Sequence, residues 1–289
     1  MTAVLLTGAE GFTGRVMSAF LKSQGMSVFS LQSDLTQKEA LHEELAQYRP
    51  DWVIHLAALS FVGDTNLEAF YRVNVIGTLN LLETLDQLGH TPSRILIASS
   101  ANIYGVPPVP VVDEHVLPAP LNHYACSKLA MEYMVRPWFQ RFSIVITRPF
   151  NYTGLGQDTR FLIPKIVDHF ARGAKEIELG NIDVSRDFSD VRDVVKAYVK
   201  LLASPVSGDV VNICSGHVYS LREIIQMMTH IAGYTIDIRV NPAFVRANDI
   251  PVLGGDPSRL KEMTGFVPEI SMEETLTQMY SALKSVTYA

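Results

Sequence analysis

The sequence predicts an α/β fold, an N-terminal doubly wound parallel sheet followed by a smaller C-terminal α/β lobe. Three observations predict it. The first half of the chain alternates short, branched apolar runs with amphipathic stretches, the rhythm of strand–helix repeats. A glycine-rich turn, Gly8-Ala9-Glu10-Gly11-Phe12-Thr13-Gly14, joins the first run to the first amphipathic stretch. Beyond Asn151 the rhythm loosens without a proline-rich linker, so two closely packed lobes with a cleft between them are expected.

Each element has its own warrant. Ala3 to Thr7 is a branched apolar run suited to a strand buried on both faces. In the turn that follows, Gly8 permits the tight bend, Gly11 lets backbone approach a pyrophosphate, and Gly14 lets helix pack on strand. Phe12 and Thr13 then stand where a helix N-terminus presents free N–H groups to phosphate. This is a Rossmann-type turn. An ordinary glycine-rich bend is the bland alternative, disfavoured by its place directly after an N-terminal strand. The helix marked by Val16, Met17, Phe20 and Leu21 ends near Gly25. A second strand spans 27–31, and Asp34 or Thr36 is expected to cap a helix reaching about Tyr48. The third strand is 51–55. Residues 67–88 read as one long helix with Val75, Leu79, Leu82 and Leu85 on a stripe, stopped by Gly89. The fourth strand is 94–98, and a helix carrying Tyr124 and Lys128 must end near Pro137. A strand over 143–147 leads into Arg148-Pro149-Phe150-Asn151. Helices are then expected over 162–172, 191–203, 221–231 and 272–283, with a strand over 210–213.

The chemistry centres on Tyr124 and Lys128, four residues apart and therefore on one helix face. A phenol has a reference pKa of about 10, too high for ready proton transfer at neutrality. An ammonium about 4 Å away, at an effective dielectric near 20, contributes roughly 4 kcal/mol, or about three pKa units as an upper bound. Such a pair suits acid–base work on a carbonyl or alcohol. Ser99 and Ser100 follow the fourth strand, where Ser100 can hold a substrate oxygen for Tyr124. Leu56, Ala57 and Ala58 follow the third strand, where small residues either admit a cofactor's ribose or nicotinamide or simply pack the strand end.

Composition narrows the partners. The 289 residues are 47% hydrophobic, enough for an ample core, and carry a formal net charge of −6 without any basic run. That argues against nucleic acid or an anionic membrane as the main partner. The two cysteines, Cys126 and Cys214, lie far apart without metal-ligand spacing, so no metal is expected and a reducing cytosol is the natural reading. The opening shows no positively charged leader, and its apolar run is too short for a membrane helix, which again points to a cytoplasmic protein.

Several motifs in order carry a resemblance. They are Gly8-x-x-Gly11-x-x-Gly14, then Ser100-Ala101-Asn102-Ile103-Tyr104-Gly105, then Tyr124-x-x-x-Lys128. Downstream come Arg148-Pro149-Phe150-Asn151, Ser185-Arg186-Asp187-Phe188, Asp190-Val191-Arg192-Asp193-Val194 and Val211-Asn212-Ile213-Cys214-Ser215-Gly216. The tail runs from Arg246 through Gly254-Gly255-Asp256-Pro257-Ser258-Arg259-Leu260 to Pro268. Together these resemble the extended short-chain dehydrogenase/reductases, also called the NAD-dependent epimerase/dehydratase family. The downstream segments look most like GDP-mannose 4,6-dehydratases and GDP-4-keto-6-deoxymannose reductases.

The resemblance implies an NAD(P)-binding Rossmann domain over 1–150 and a lobe over 151–289 that mainly binds a nucleotide sugar, with some chain crossing between them. Ser100, Tyr124 and Lys128 would be the catalytic triad. Gly8, Gly11, Phe12, Thr13, Gly14, Asp34, Leu35, Leu56, Ala57, Ala58 and Pro149 would line the cofactor with Tyr124 and Lys128. Asn102, Asn151, Arg186, Arg246 and Asp249 would face the substrate, Arg186 on its diphosphate. Arg186 and Arg246 each have an alternative reading as a surface or inter-lobe ion pair, which weighs more on Arg246. Asp187 and Asp190 are expected to cap or orient, and Asn74 to serve as a structural hydrogen-bonder. Dehydratases of the family place a carboxylate two residues after the Ser/Thr. Here Asn102 stands there, and Asp113 and Glu114 lie outside the matched position. Dehydration is therefore disfavoured, and the short passage after the second strand favours 4-keto reduction over 4-epimerisation. Between NAD and NADP the residues leave a choice: Arg15 and Ser33 can accept a 2′-phosphate, whereas Asp34 can accept a ribose hydroxyl or contact adenine. The stripes on helix 67–88 and on the Tyr124 helix imply a homodimer. A non-catalytic cofactor-binding regulator is the remaining class, and the intact Tyr-x-x-x-Lys speaks against it.

Overall fold

The computed structural model describes residues 1–60, 66–244 and 250–287. β1 (Ala3–Thr7), α1 (Phe12–Ser23), β2 (Ser27–Ser30), α2 (Lys38–Leu45) and β3 (Trp52–His55) alternate as the pattern requires. Next come α3 (Leu67–Tyr71), a π-helical turn (Arg72–Gly77), α4 (Thr78–Gln87), β4 (Arg94–Ala98), β5 (Val111–Val112), α5 (His123–Val135) and β6 (Ile144–Pro149). The rest comprises β7 (Asn151–Thr153), α6 (Leu162–Ala171), β8 (Glu176–Leu179), β9 (Ser185–Asp190), α7 (Val191–Ala203) and β10 (Asp209–Ile213). β11 (Val218–Ser220), α8 (Leu221–Ala232), β12 (Asp237–Val240), β13 (Val252–Gly255), α9 (Ser258–Thr264) and α10 (Met272–Thr287) complete it.

Six strands form one parallel sheet in the order β10-β6-β4-β3-β1-β2. Alternating residues explain why both faces are covered. Leu5, Val53, Ile95, Ile97, Ile144 and Ile146 pack against Leu41, Leu82, Leu85, Met131 and Val135 of α2, α4 and α5. Val4, Leu6, Ile54, Leu96, Val145 and Val211 pack against Met17, Leu21, Val194, Leu201 and Leu260 of α1, α7 and α9. The sheet is doubly wound. Its order reverses between β1 and β3, the place where such sheets open a crevice at their C-terminal ends.

The chain leaves this sheet after β6 and returns to it for α7 and β10. A second sheet runs β11-β9-β13-β5, with β7 paired to β9, and β8 pairs with β12. α6, α8 and α10 cover this region with Ile163, Phe170, Ile224, Met228 and Leu276. Among the described residues no helix is long and apolar enough to cross a membrane.

Three expectations are corrected. The stretch 67–88 is broken by the π-helical turn, where buried Asn74 exchanges hydrogen bonds with backbone of Leu59 and donates to Ser127 Oγ. Neither Asp34 nor Thr36 caps α2. The helix starts at Lys38 with Gln37 at the N-cap and no side-chain cap, while Asp34 Oδ1 accepts from Thr36 N at 2.8 Å in a turn upstream. Finally, β5, β7, β8, β9, β11, β12, β13 and α9 fall where no element is predicted.

Candidate active site

The glycine turn shows its requirements in its geometry. Gly8 adopts a φ of 70°, and a Cβ there would lie 2.7 Å from Ala57 N. A Cβ on Gly14 would overlap the Gly8 carbonyl oxygen, which fixes α1 tightly against β1. At Gly11 a Cβ would meet only Gly8 O, at 3.2 Å, so the outer side of the turn is open. Gly11 is the N-cap of α1 and supplies no side-chain cap, which leaves the first-turn N–H groups of Phe12, Thr13 and Gly14 directed outward. An open backbone cradle with uncapped donors fits a dinucleotide's pyrophosphate.

Around that turn, Thr7 Oγ1 accepts from Ala57 N at 3.1 Å and meets His55 Nδ1 at 2.7 Å. His55 is bonded through Nε2 to Thr78 Oγ1, and burial, followed by the nearby Lys128 charge, pushes it down to about 3. It is a neutral strut. Leu56, Ala57 and Ala58 are half-buried along the crevice after β3. Beyond β2, a residue the sequence reading passed over organises the loop: Glu44 accepts from Gln32 N at 2.9 Å and Ser33 N at 2.7 Å. Ser33 Oγ donates to Ala40 O, and Leu35 is buried against Gly77 with its carbonyl bonded to Asn80. Bonds from Thr36 hold the Asp34 carboxyl below its usual range. Arg15 reaches Glu10 O and Gly156 O, tying the glycine turn to the loop after β7.

Asn122 caps α5 by accepting from Ala125 N at 2.9 Å, and this places Tyr124 in the first turn and Lys128 one turn on. Tyr124 faces Ser100 closely enough for that hydroxyl to stabilise its phenolate, and its ring lies 6.1 Å from that of Phe70. Ser100 Oγ accepts from both Asn102 N and Asn102 Nδ2 at 3.2 Å, so its own hydrogen is left to donate toward the tyrosine or a ligand. Ser99 Oγ is buried without a protein partner at the end of β4. Lys128 Nζ donates to Ala98 O at 2.7 Å.

The electrostatics correct the simplest expectation for this pair. Burial pushes Tyr124 up to about 12, opposed by the nearby Ser100 hydroxyl and reinforced by Tyr152. The lysine is not among the groups that lower it, because its ammonium is turned to the β4 carbonyl. Burial in turn brings Lys128 down to about 8, with Glu132 acting in the opposite direction. Two strongly shifted groups on one helix face, at the C-terminal end of a doubly wound sheet, mark a reaction site.

A sequence profile described as GDP-mannose 4,6 dehydratase matches residues 29–279. The chain belongs to that family. Among curated relatives, the GDP-6-deoxy-D-talose 4-dehydrogenase of Aggregatibacter actinomycetemcomitans is 38% identical over 91% of each chain. The GDP-6-deoxy-D-mannose reductase of Pseudomonas aeruginosa is 34% identical over 98% of this chain and 97% of its own. Among solved structures, RMD from Pseudomonas aeruginosa in complex with NADPH superposes with a TM-score of 0.92, at 33% identity, covering 99% of this chain and 100% of that one.

Several of the remaining residues that match family motifs lie on β6 of the first sheet and on β7 and β9 beyond it. Pro149 ends β6 opposite Ile213, and Asn151 is exposed at the start of β7. Arg186 lies on β9, the strand paired with β7, and donates to Ser185 O at 2.8 Å. Arg246 and Asp249 lie outside the described residues. Asp187 accepts from Ser215 N, Ser215 Oγ and Gly216 N, and Asp190 caps α7, so both orient backbone. Asp113 Oδ1 holds its own loop through His115 N, and Glu114 accepts from Asn212 N. Sequence reasoning missed Tyr152, whose hydroxyl meets Thr13 Oγ1 at 2.9 Å while its ring stacks on Phe12. Its place next to Asn151 was the available signal.

Proposed function

We propose that the protein is an NAD(P)H-dependent nucleotide-sugar oxidoreductase that reduces the 4-keto group of a 6-deoxyhexose carried on a nucleoside diphosphate, with GDP the favoured carrier. The observation that carries this reading is the convergence of Ser100, Tyr124 and Lys128 beside the open glycine turn, with an amide at position 102. The activities named for the Aggregatibacter and Pseudomonas relatives support it.

The bound dinucleotide supplies the hydride. First-turn N–H groups of Phe12, Thr13 and Gly14 would hold its pyrophosphate, Asp34 and Leu35 would border its adenosine end, and Leu56 to Ala58 with Pro149 would border the crevice. Lys128, on the same helix face as Tyr124, would hold a hydroxyl of the dinucleotide's ribose. Ser100 keeps its hydrogen for the sugar's carbonyl oxygen, because Asn102 fills its acceptor side. Tyr124 delivers a proton to that oxygen as it becomes an alkoxide. Asn151 and Arg186 hold the sugar and its diphosphate. Asn102 cannot take the C5 proton that dehydration would require, and this separates the chain from a 4,6-dehydratase.

The working unit is a cytoplasmic homodimer of two-lobed subunits, with residues 1–150 chiefly cofactor-binding and 151–289 chiefly substrate-binding. Exposed Leu67, Ile76 and Tyr133 on the α3–α5 side supply the apolar contact surface.

The test is loss of nicotinamide absorbance on adding GDP-4-keto-6-deoxymannose, with NADH and NADPH in turn. Rapid oxidation supports the reading and identifies the cofactor. Failure to oxidise either one, with cofactor retained on the purified protein, would replace it with a 4-epimerase or with a sugar carried on a different base.

A further inference from the structure

A fully buried polar cluster lies behind the proposed triad, and none of its members is needed to touch substrate or cofactor. Glu132 stands one helical turn beyond Lys128 on α5 and is 1% exposed, and Arg148 on β6 is 4% exposed. They form a two-pronged pair, Nε to Oε1 at 3.0 Å and Nη2 to Oε2 at 2.7 Å. The third guanidinium nitrogen donates to Tyr104 OH at 2.9 Å, and that hydroxyl donates to Asn212 Oδ1 at 2.8 Å. Tyr104 ends the short 3₁₀ turn, Ala101–Tyr104, whose N-cap is Ser100.

One guanidinium therefore grips both pieces of the site. Its carboxylate partner is on the helix that carries Tyr124 and Lys128, and its phenol partner is on the turn that carries Ser100 and Asn102. Arg148 itself sits on β6 next to Pro149. A single buried planar cation with several fixed bonds holds spacing better than apolar packing, because each bond has a direction.

We propose that Glu132, Arg148 and Tyr104 form a buried positioning triad that fixes Ser100 relative to Tyr124. This deepens the reductase reading and rests on it. The groups facing Lys128 are Tyr124 and Glu132 on its own helix, His55 on β3 and the Ala98 carbonyl on β4, with Arg148 and Tyr104 behind Glu132. His55 is neutral through the working range, so Glu132 is the one anion acting on Lys128 among these groups. Arg148 is paired with that anion, so removing both charges together leaves the field at Lys128 little changed.

The experiment compares the unmodified protein with Glu132→Gln/Arg148→Met and with Tyr104→Phe, measuring kcat, KM and the pH profile of ketoreduction alongside circular dichroism melting. The double variant removes both charges together, which avoids stranding one of them. It is expected to fold and to lose at least about tenfold in kcat with KM within about threefold. Tyr104→Phe leaves the ion pair intact. It is expected to lower kcat several-fold at unchanged KM, with the alkaline limb in place. A folded double variant with the unmodified kcat would overturn the proposal. Unchanged kcat in Tyr104→Phe overturns it equally, and does so even if the double variant does not fold. An unmodified protein that turns over no keto sugar would instead defeat the reductase reading itself.

Discussion

Arg148 and Lys128 are two cations buried to the same depth, 4% and 5% exposed, and both act through α5. Their electrostatics are nonetheless opposite. Burial would lower the guanidinium's pKa, but two bonds and the charge of Glu132 outweigh it and hold Arg148 above its ordinary value. Lys128 has a carbonyl for a bonded partner and a carboxylate only at a distance, so burial wins and brings it down to about 8. The framework cluster is saturated: Glu132, Arg148, Tyr104 and Asn212 are bonded to one another. The reactive cluster is not, since Ser99 Oγ is an orphan and Tyr124 is raised to about 12. A saturated scaffold holds an under-bonded site open for ligands, and the two regions should therefore fail in different ways when altered.

The sharpest contrast comes from the site. Tyr124→Phe removes the proton donor and is expected to lower kcat by about 10²–10⁴-fold. Its stability should change by less than about 1 kcal/mol, because the hydroxyl has weak bonding and an unfavourable burial to lose. Single-turnover kinetics beside a urea titration would check both halves, and retained turnover would break the contrast at once.

The framework should show the reverse. Arg148→Met strands the Glu132 carboxylate in the core, which costs about 3–5 kcal/mol. A drop in the urea midpoint at unchanged slope is the expected signature. A midpoint near that of the unmodified protein would mean that Glu132 reaches water by local rearrangement.

Lys128→Met joins the two regions. Turnover should be lost and cofactor affinity weakened, while stability at pH 7 holds or rises. The folded-state value of about 8 lies below the ordinary 10.5, so between these values the unfolded chain binds more protons. Stability from this group therefore increases as pH rises from about 8 toward 10.5, and the charged form is what the fold tolerates least. Urea midpoints at pH 7 and pH 10 should differ less in the variant than in the unmodified protein, after common effects are subtracted. An unchanged difference would mean that Lys128 is well solvated.

The same division explains what could be read from the chain. Strands such as Arg94–Ala98 and Ile144–Pro149 announce themselves because both faces are buried and the apolar run is continuous. The glycine turn is legible because a positive φ at Gly8 and close packing at Gly14 tolerate few other residues. Ser185–Asp190 is a strand of a different kind. Its buried Asp187, Ser189 and Asp190 look like loop residues until Ser215, Gly216 and Thr275 arrive from elsewhere in the chain to meet two of them. The break at Asn74 likewise depends on Leu59 and Ser127, which no helical period reveals. The expected lowering of Tyr124 failed for a related reason. Spacing places Lys128 on the right face, but only the fold places the Ala98 carbonyl where the ammonium prefers to go.

The smallest effect tests where the two regions meet. Asn122 begins α5 with extended backbone, φ −148° and ψ 164°, and its side chain accepts from Ala125 N. Loss of an N-cap of this kind costs about 1 kcal/mol, so Asn122→Ala should lower the melting temperature by only a few degrees. Its effect on rate should be larger than that figure suggests. Tyr124 lies in the first turn, which is the part of the helix that frays, whereas Lys128 and Glu132 lie one and two turns further in. The variant should therefore lose kcat several-fold while keeping cofactor affinity and the alkaline limb set by Lys128. Asn122→Asp restores the acceptor and adds charge of the favourable sign at a helix N-terminus, and it should recover both stability and rate. If Asn122→Ala loses stability but keeps full kcat, the cap belongs to the framework alone, and Tyr124 is held by Ser100 and Phe70 instead.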